Sequence, residues 1–513
     1  MLLSFVLLFL SIPGGPLPFL TWIVFVPVGL ALLNTSAGQA ARLFYFYSIG
    51  VWLCCIWWMM PAVINFTQLN AVLAFLVLFI FCLILAIPHG IIGYLIHYRN
   101  WLAKPYGIAV IAMMFVVIEC WYPNVLPGNQ AHSLYIYPSA IQIVDLGGVP
   151  LLLFVTIFVN WQIVKAIHFY RQNTREAKLS VIRVLIVFAL VFAYGEYRLF
   201  TYHQEANQPG MQNKLKVGFI QPNLMREDNL DRLYTMSEEL VRLNSDLDLL
   251  IWPEFPTAFS YIENTFDRIN VDNLIHKIHK PMMIVSGYIY ESPPSMENPQ
   301  PHYYNTAHLI NENAVLLESY NKQLLAPFFE YLPWENSLPM MRTIFPESLI
   351  YAPGNQSTLF KLNNDVNIIP LICYEIIFPE LTQNFIAQGG NMIVNMTNDF
   401  WFGASRGSSY HLALGLFRSV EHKVPWIRAT NSGISVFVTA AGEIIKGSAT
   451  PLLQTASRTA EVFIPRERTL YSKIGDLFLY LITFGVFLIM LKESSLPERL
   501  SSVIKSKKSN FND

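Results

Sequence analysis

A bundle of membrane-spanning helices followed by an α/β soluble domain and one last span is the fold class this sequence predicts, and three observations carry it. Of 513 residues, 53% are hydrophobic and only 13% are charged, where about 25% charged is usual for soluble chains. The deficit is local: residues 1–164 hold only Arg42, Arg99, Lys104, Glu119 and Asp145 as charged side chains, whereas the stretch 213–470 has ordinary globular polarity. From Lys216 the pattern turns to short apolar runs alternating with amphipathic stretches, the signature of an α/β domain.

The first part is predicted from length and charge. Apolar stretches near 16–33, 43–64, 71–96, 106–122, 147–169, 179–199 and 474–491 are each long enough to cross about 30 Å of hydrocarbon. Residues 1–11 are apolar but shorter, with no basic residue ahead of them. They read as a shortened first span rather than a signal peptide. Arg42, then Arg99 and Lys104, then Lys165, Arg171, Arg175, Lys178 and Arg183 fall in alternate loops, and the loops 65–70 and 123–144 hold no Lys or Arg. The positive-inside rule places the charged loops in the cytoplasm and the soluble domain on the opposite side, the periplasm of a bacterium. The last span returns the tail, with Lys492, Arg499, Lys505, Lys507 and Lys508, to the cytoplasm. The expected organisation is a membrane domain of about seven helices over 1–200, a soluble domain over 213–470, a final helix over 474–491 and a basic tail over 492–513. Glu119 has two readings: an intramembrane functional carboxyl, or a side chain that reaches interfacial water beside Trp121 and Tyr122.

A formal net charge of −1 lacks the concentrated basic face a nucleic-acid partner needs. Four cysteines, Cys54, Cys55, Cys82 and Cys120, lie in or beside apolar spans, which leaves Cys373 alone in the polar domain. No disulfide framework and no zinc spacing follows, no glycine-rich nucleotide loop appears, and no metal or dissociable cofactor is expected.

Within the soluble domain, strands are predicted at 217–221, 249–252, 282–290, 303–310, 314–320, 366–372, 391–395 and 432–439, with helices near 228–247, 264–279, 376–388 and 410–422. Cys373 stands where the apolar run 367–372 stops. A thiol in such a turn is favoured as thiolate by backbone N–H groups and a following helix N-terminus; the competing reading is a packed core cysteine. Glu254 also follows a buried strand, and Lys322 follows the strand ending at Tyr320. Strand ends of one sheet meet at one edge, so these three assemble a base, a cation and a nucleophile.

The segments Trp252-Pro-Glu254, Asn321-Lys322 with Pro327-Phe-Phe-Glu330-Tyr, and Cys373-Tyr-Glu375 resemble the nitrilase superfamily. That resemblance implies an αββα sandwich carrying a Glu-Lys-Cys triad. Three further segments, Ile372-Cys-Tyr-Glu-Ile-Ile-Phe-Pro-Glu380, Asn398-Asp-Phe-Trp-Phe-Gly403 and Arg428-Ala-Thr-Asn-Ser-Gly433, with the eight-span layout, are similar to the membrane-integrated apolipoprotein N-acyltransferase family of the bacterial inner membrane. The resemblance implies Glu254 as general base, Lys322 as transition-state stabiliser and Cys373 as nucleophile. Glu330 would orient the lysine, Tyr374 and Glu375 would flank the nucleophile, and Trp401 and Phe402 would contact substrate on a mobile loop. It implies a phospholipid acyl donor, a diacylated lipoprotein acceptor, a thioester intermediate and a chain that acts as a monomer. Phe329 and Phe400 stand where the family usually has small residues, which implies a narrower pocket. In the fifth span the arginine that usually follows the counterpart of Glu119 is absent, and Leu126-Pro-Gly-Asn-Gln130 replaces a Trp-containing loop. Two alternatives remain at this level: a membrane-anchored amidase that uses water, and a non-catalytic lipid-binding or transport protein.

Overall fold

The computed structural model describes residues 2–67, 69–123, 128–208, 213–225, 230–254, 261, 266–290, 303–346 and 351–494. The basic tail beyond 494 and the start of the altered loop at 124–127 lie outside the described residues.

Among the described residues, the helical stretches Ala37–Ile64, Ala71–Tyr98, Val144–Phe169 and Thr174–Ala206 are long and apolar enough to cross a membrane, and Leu2–Ser11, Pro18–Leu32 and Gly107–Trp121 are shorter apolar helices. The apolar helix Leu477–Ser494 packs on Gly107–Trp121 and Val144–Phe169. At its far end Glu493 takes Lys104 at 2.5 Å and Trp101 Nε1 at 3.2 Å, so the 99–104 loop and the end of the last helix share one end of the bundle. Helix Val144–Phe169 is broken where Gly148 takes φ +68°. A Cβ there would sit 2.7 Å from the ring of Tyr471, so glycine is what lets the chain pass this aromatic.

Among the described residues eleven strands follow: β1 Lys214–Gln221, β2 Leu249–Ile251, β3 Met282–Tyr290, β4 Tyr303–Ile310, β5 Leu316–Asn321, β6 Phe360–Lys361, β7 Asn367–Ile372, β8 Met392–Thr397, β9 Trp426–Thr430, β10 Val436–Val438 and β11 Ala456–Phe463. They form a six-stranded sheet in the order β11-β1-β2-β3-β4-β5 and a five-stranded sheet in the order β10-β9-β8-β7-β6. Alternation fixes what each face meets. Val217, Phe219, Leu249 and Ile251 point into the core shared with Ile368, Met392, Val394 and Ile427 of the second sheet, and the rings of Phe219 and Phe437 meet at 4.7 Å. The opposite positions, Ile220, Leu250 and Ile284, pack with Leu240 and Leu274 of helices Asp231–Leu243 and Phe266–Ile278. Helices Pro379–Ala387 and Gly407–His422 cover the second sheet. The result is helix, sheet, sheet, helix.

Three sequence expectations change. The strand expected at 432–439 is shortened to β10, and β9, β11 and the two-residue β6 are additional strands. β9 carries a fully buried Arg428, and β11 is only partly buried along most of its length, so neither shows an apolar alternation. The helix expected from 376 is divided into a 3-10 turn, Cys373–Ile377, and the helix Pro379–Ala387, because Pro379 starts a helix but cannot continue one.

The two parts are joined by more than chain connectivity. Helix Thr174–Ala206 has 33 residues, about 50 Å, and therefore outruns the roughly 30 Å hydrocarbon layer. Its last turns meet the sandwich through Lys423 to Glu205 at 3.1 Å and His203 to Glu443 at 2.7 Å. Glu421, from helix Gly407–His422, accepts the backbone N–H of Val149 at 3.2 Å, beside the Gly148 break.

Candidate active site

Glu254, Lys322 and Cys373 stand just past the ends of β2, β5 and β7. The first two strands belong to one sheet and the third to the other, so the site lies where two sheets face each other and not along one sheet edge, as the sequence suggested.

Lys322 is 1% exposed and its Nζ lies 2.8 and 2.7 Å from the two carboxylate oxygens of Glu330. Burial works against the ammonium, but the Glu330 and Glu254 carboxylates more than offset it and keep the amine charged above its ordinary range. Asn305, on β4, donates from Nδ2 to Glu254 at 2.7 Å and to Glu330 at 3.1 Å. The second oxygen of Glu254 accepts the backbone N–H of Asn398 at 3.1 Å. One amide therefore holds both carboxylates around the ammonium. Burial raises the pKa of Glu254, and Lys322 pulls against that.

Cys373 has φ +49°, left-handed backbone that a side chain with a Cβ adopts only when its surroundings hold it. Its carbonyl accepts Asn395 Nδ2 at 3.2 Å and lies 3.2 Å from His411 Nε2. Burial and the facing charge of Glu254 push the thiol pKa up, and Lys322 only partly counters this. These influences favour the thiol, against the thiolate that the turn alone would favour.

Glu375, fully buried, does more than flank the nucleophile. Its Oε1 accepts Tyr320 Oη at 2.7 Å and the N–H groups of Gln323 and Leu324 at 2.7 and 3.2 Å, and its Oε2 accepts the N–H of Ile372 at 2.8 Å. It ties the segment around Lys322 to the strand end that presents Cys373. Burial pushes its pKa up to about 7 against the pull of Lys322 and these donors. Tyr374 turns its ring onto Phe378 at 4.9 Å.

Behind the nucleophile lies a network to which the sequence reading assigned no roles. Asp399, fully buried, pairs with Arg428 at 2.6 Å, with His411 Nδ1 at 3.0 Å and with Ser408 Oγ at 2.6 Å. Burial opposes its charge, yet Arg428 and His411 hold the carboxyl well below the usual range. His411 carries this order to the Cys373 carbonyl. The segments containing Asp399 and Arg428 were visible as motifs; their mutual contact was not. Trp401 and Phe402 occupy a 3-10 turn, Phe400–Phe402. Phe402 meets Trp58 of the helical bundle edge-on at 4.8 Å, so this turn sits against the membrane part.

Among the described residues no group of three His, Cys, Asp or Glu is arranged to hold a metal ion. A strained cysteine facing a carboxylate and an ammonium, on a two-sheet sandwich attached to apolar helices, defines a membrane-associated member of the carbon-nitrogen hydrolase class, and residues 216–455 match the carbon-nitrogen hydrolase family. Residues 4–162 match the apolipoprotein N-acyltransferase N-terminal domain. The chain is 27% identical to an apolipoprotein N-acyltransferase of Geobacter metallireducens over 95% of its own length and 93% of that protein's. It is 28% identical to one of Haemophilus ducreyi over 85% of each chain. The chain belongs to the apolipoprotein N-acyltransferase family, within the nitrilase superfamily. Solved structures similar to it include an amidase from Nesterenkonia sp. (17% identity, TM-score 0.37, 50% of this chain and 93% of that one) and a nitrilase-superfamily member of Saccharomyces cerevisiae (20%, TM-score 0.37, 56% and 96%).

Proposed function

We propose that this chain transfers an acyl group from a membrane phospholipid to the α-amine of an S-diacylglyceryl cysteine on lipoproteins, through a thioester on Cys373. Family membership supports the reaction; the observation that carries the site assignment is the strained Cys373 facing the charges of Glu254 and Lys322, which Asn305 and Glu330 hold together.

In the first half-reaction the Cys373 sulfur attacks the ester carbonyl of the lipid while its proton passes to Glu254. The negative charge on the carbonyl oxygen is met by Lys322 and a backbone N–H at Tyr374. Collapse breaks the ester bond, and the departing lysophospholipid oxygen takes the proton from Glu254. In the second, the amine attacks the thioester, gives a proton to Glu254, and expels the sulfur, which is reprotonated. A raised pKa suits a carboxyl that must both accept and return a proton. Covalent catalysis divides one difficult transfer into two easier ones. Both substrates are lipids, and apolar helices beside the sandwich let their chains approach without crossing water. We place the sandwich on the periplasmic side of the cytoplasmic membrane from the alternation of basic loops, and assign the work to a monomer with no cofactor and no nucleic-acid partner.

The test is intact mass of the purified protein after incubation with a defined phospholipid, beside Cys373→Ala. A hydroxylamine-labile acyl adduct on the wild type alone is expected. Full turnover in Cys373→Ser would overturn the assignment, and release of fatty acid with no acylated lipopeptide would turn the reading to a hydrolase.

A further inference from the structure

The sulfur of Cys373 takes on negative charge twice in the proposed cycle: as it attacks the ester, and again when the thioester C–S bond breaks with its electron pair on sulfur. Burial and the charge of Glu254 both oppose that charge, and Lys322 only partly counters them. The Lys322 ammonium is itself held by Glu330 at 2.8 and 2.7 Å. A neutral donor aimed at the sulfur would ease both steps, because hydrogen bonds to a charged acceptor are the strong ones.

Strand β8 supplies a candidate. It runs parallel to β7 with Ile372 against Met396, so the next residue of each, Cys373 and Thr397, stand side by side where the two strands end. The contacts on either side of Thr397 show how near this stretch lies to the triad. Asn395, two positions back and on the same face by alternation, donates from Nδ2 to the Cys373 carbonyl at 3.2 Å. One position on, the N–H of Asn398 meets Glu254 at 3.1 Å.

Thr397 is fully buried, and among the described residues its Oγ1 has no hydrogen-bond partner. Its register neighbour on β9, Thr430, is satisfied by Gln221 at 3.0 Å. An unpaired buried hydroxyl is a cost that valine, of the same shape, would avoid. A thiol is a weak acceptor and a thiolate a strong one. A hydroxyl that idles beside the thiol and donates to the charged sulfur therefore favours the transition state over the ground state, which is the condition for accelerating a step. The influence of Thr397 on the thiol has the matching direction, since it draws the pKa down.

We propose that the Thr397 hydroxyl donates a hydrogen bond to the Cys373 sulfur whenever that sulfur is negatively charged, and so acts as a catalytic residue beside Glu254 and Lys322. The two steps it serves rest on the acyl-transfer reading; its action on the thiolate does not.

The experiment compares Thr397→Val and Thr397→Ser with the wild type, as full-length protein in detergent. Two rates are followed: alkylation of Cys373 by iodoacetamide, read on its own peptide because Cys54, Cys55, Cys82 and Cys120 are also free, and thioester formation from a defined phospholipid. Losing one hydrogen bond to a charged group should lower the thiolate fraction at fixed pH about tenfold. A more basic thiolate is also more nucleophilic, so alkylation of the valine variant should be only about threefold slower. Thioester formation should be about tenfold slower, with KM for the phospholipid unchanged, and serine should restore most of both rates. The thermal midpoint of the valine variant should match or exceed that of the wild type, since the hydroxyl it removes is unpaired at rest. Thr397→Ala, which also lacks the hydroxyl, carries the same expectation for both rates should valine fail to fold. Wild-type alkylation in the variants without a hydroxyl overturns the inference, even if acylation slows, because the hydroxyl would then serve another atom. Equal losses in the serine and valine variants overturn it too, since shape alone would be at work. Slower alkylation in the valine variant, with no thioester even on the wild type, sinks only acyl transfer; a wild-type thioester with alkylation unchanged by valine sinks only the role of Thr397.

Discussion

Replacing Glu375 should do most of its damage between the strands that carry Lys322 and Cys373. Its carboxylate accepts donors at 2.7, 2.7, 3.2 and 2.8 Å in a fully buried position. Each buried donor left without an acceptor costs about 1–3 kcal/mol. Taking the lower end, because water enters the space a Glu375→Ala change vacates, the four sum to about 4 kcal/mol. Glu375→Gln is milder. With its carbonyl oxygen at the Oε1 position it still serves Tyr320, Gln323 and Leu324, and only its NH2 group confronts the N–H of Ile372. That variant should lose about 1–3 kcal/mol. Hydrogen exchange at the Gln323 and Leu324 amides reads this locally. Glu375→Ala should speed it by up to about a thousandfold, at about 1.4 kcal/mol per tenfold, and Glu375→Gln should leave both amides nearly as protected as in the wild type. The acyl-enzyme rate should fall in both, since the strand end presenting Cys373 is released in each. Unchanged exchange at Gln323 and Leu324 in the alanine variant would refute the clamp, as would equal exchange in the two variants.

His411→Leu removes one of the two donors to the Cys373 carbonyl and should slow thioester formation about tenfold with KM for the lipid unchanged; His411→Gln should recover part of the rate, and a KM effect alone would assign the residue to lipid binding instead. Lys322 lowers the pKa of Glu254, and Glu254 must be ionised to accept the thiol proton. In Lys322→Met the acid limb of the acylation rate should therefore move to higher pH, in addition to a fall of about 10²–10³ in rate from the lost charge at the oxyanion; an acid limb that stays in place or moves down would show that Lys322 does not act on Glu254.

Glu254, Lys322 and Cys373 were legible because each follows a short apolar strand, and the long apolar helices were legible because composition alone reports them. The support of those three residues was not. Asn305 reaches Glu254 across 51 positions and Glu375 reaches Tyr320 across 55, and nothing in the intervening sequence encodes either contact. β9 escaped notice for a related reason. Its Arg428 interrupts the apolar run, and the partner that lets it be buried, Asp399 at 2.6 Å, stands 29 positions away. For Glu119 both readings stayed open until His89 was placed beside it at 2.9 Å.

By itself the sequence determined which segments are long and apolar, most of the strands, and which three reactive side chains stand at strand ends, since hydrophobic periodicity and length act over a few residues at a time. Only the tertiary structure decided that the ends of β2 and β5 face the end of β7 from the opposite sheet. It alone decided that burial and Glu254 raise the pKa of the Cys373 thiol and that Glu375 and His411 hold the strained turn. Those outcomes depend on burial and on pairing between distant residues, because a buried polar group must find its partner in space and its charge state follows from what it finds.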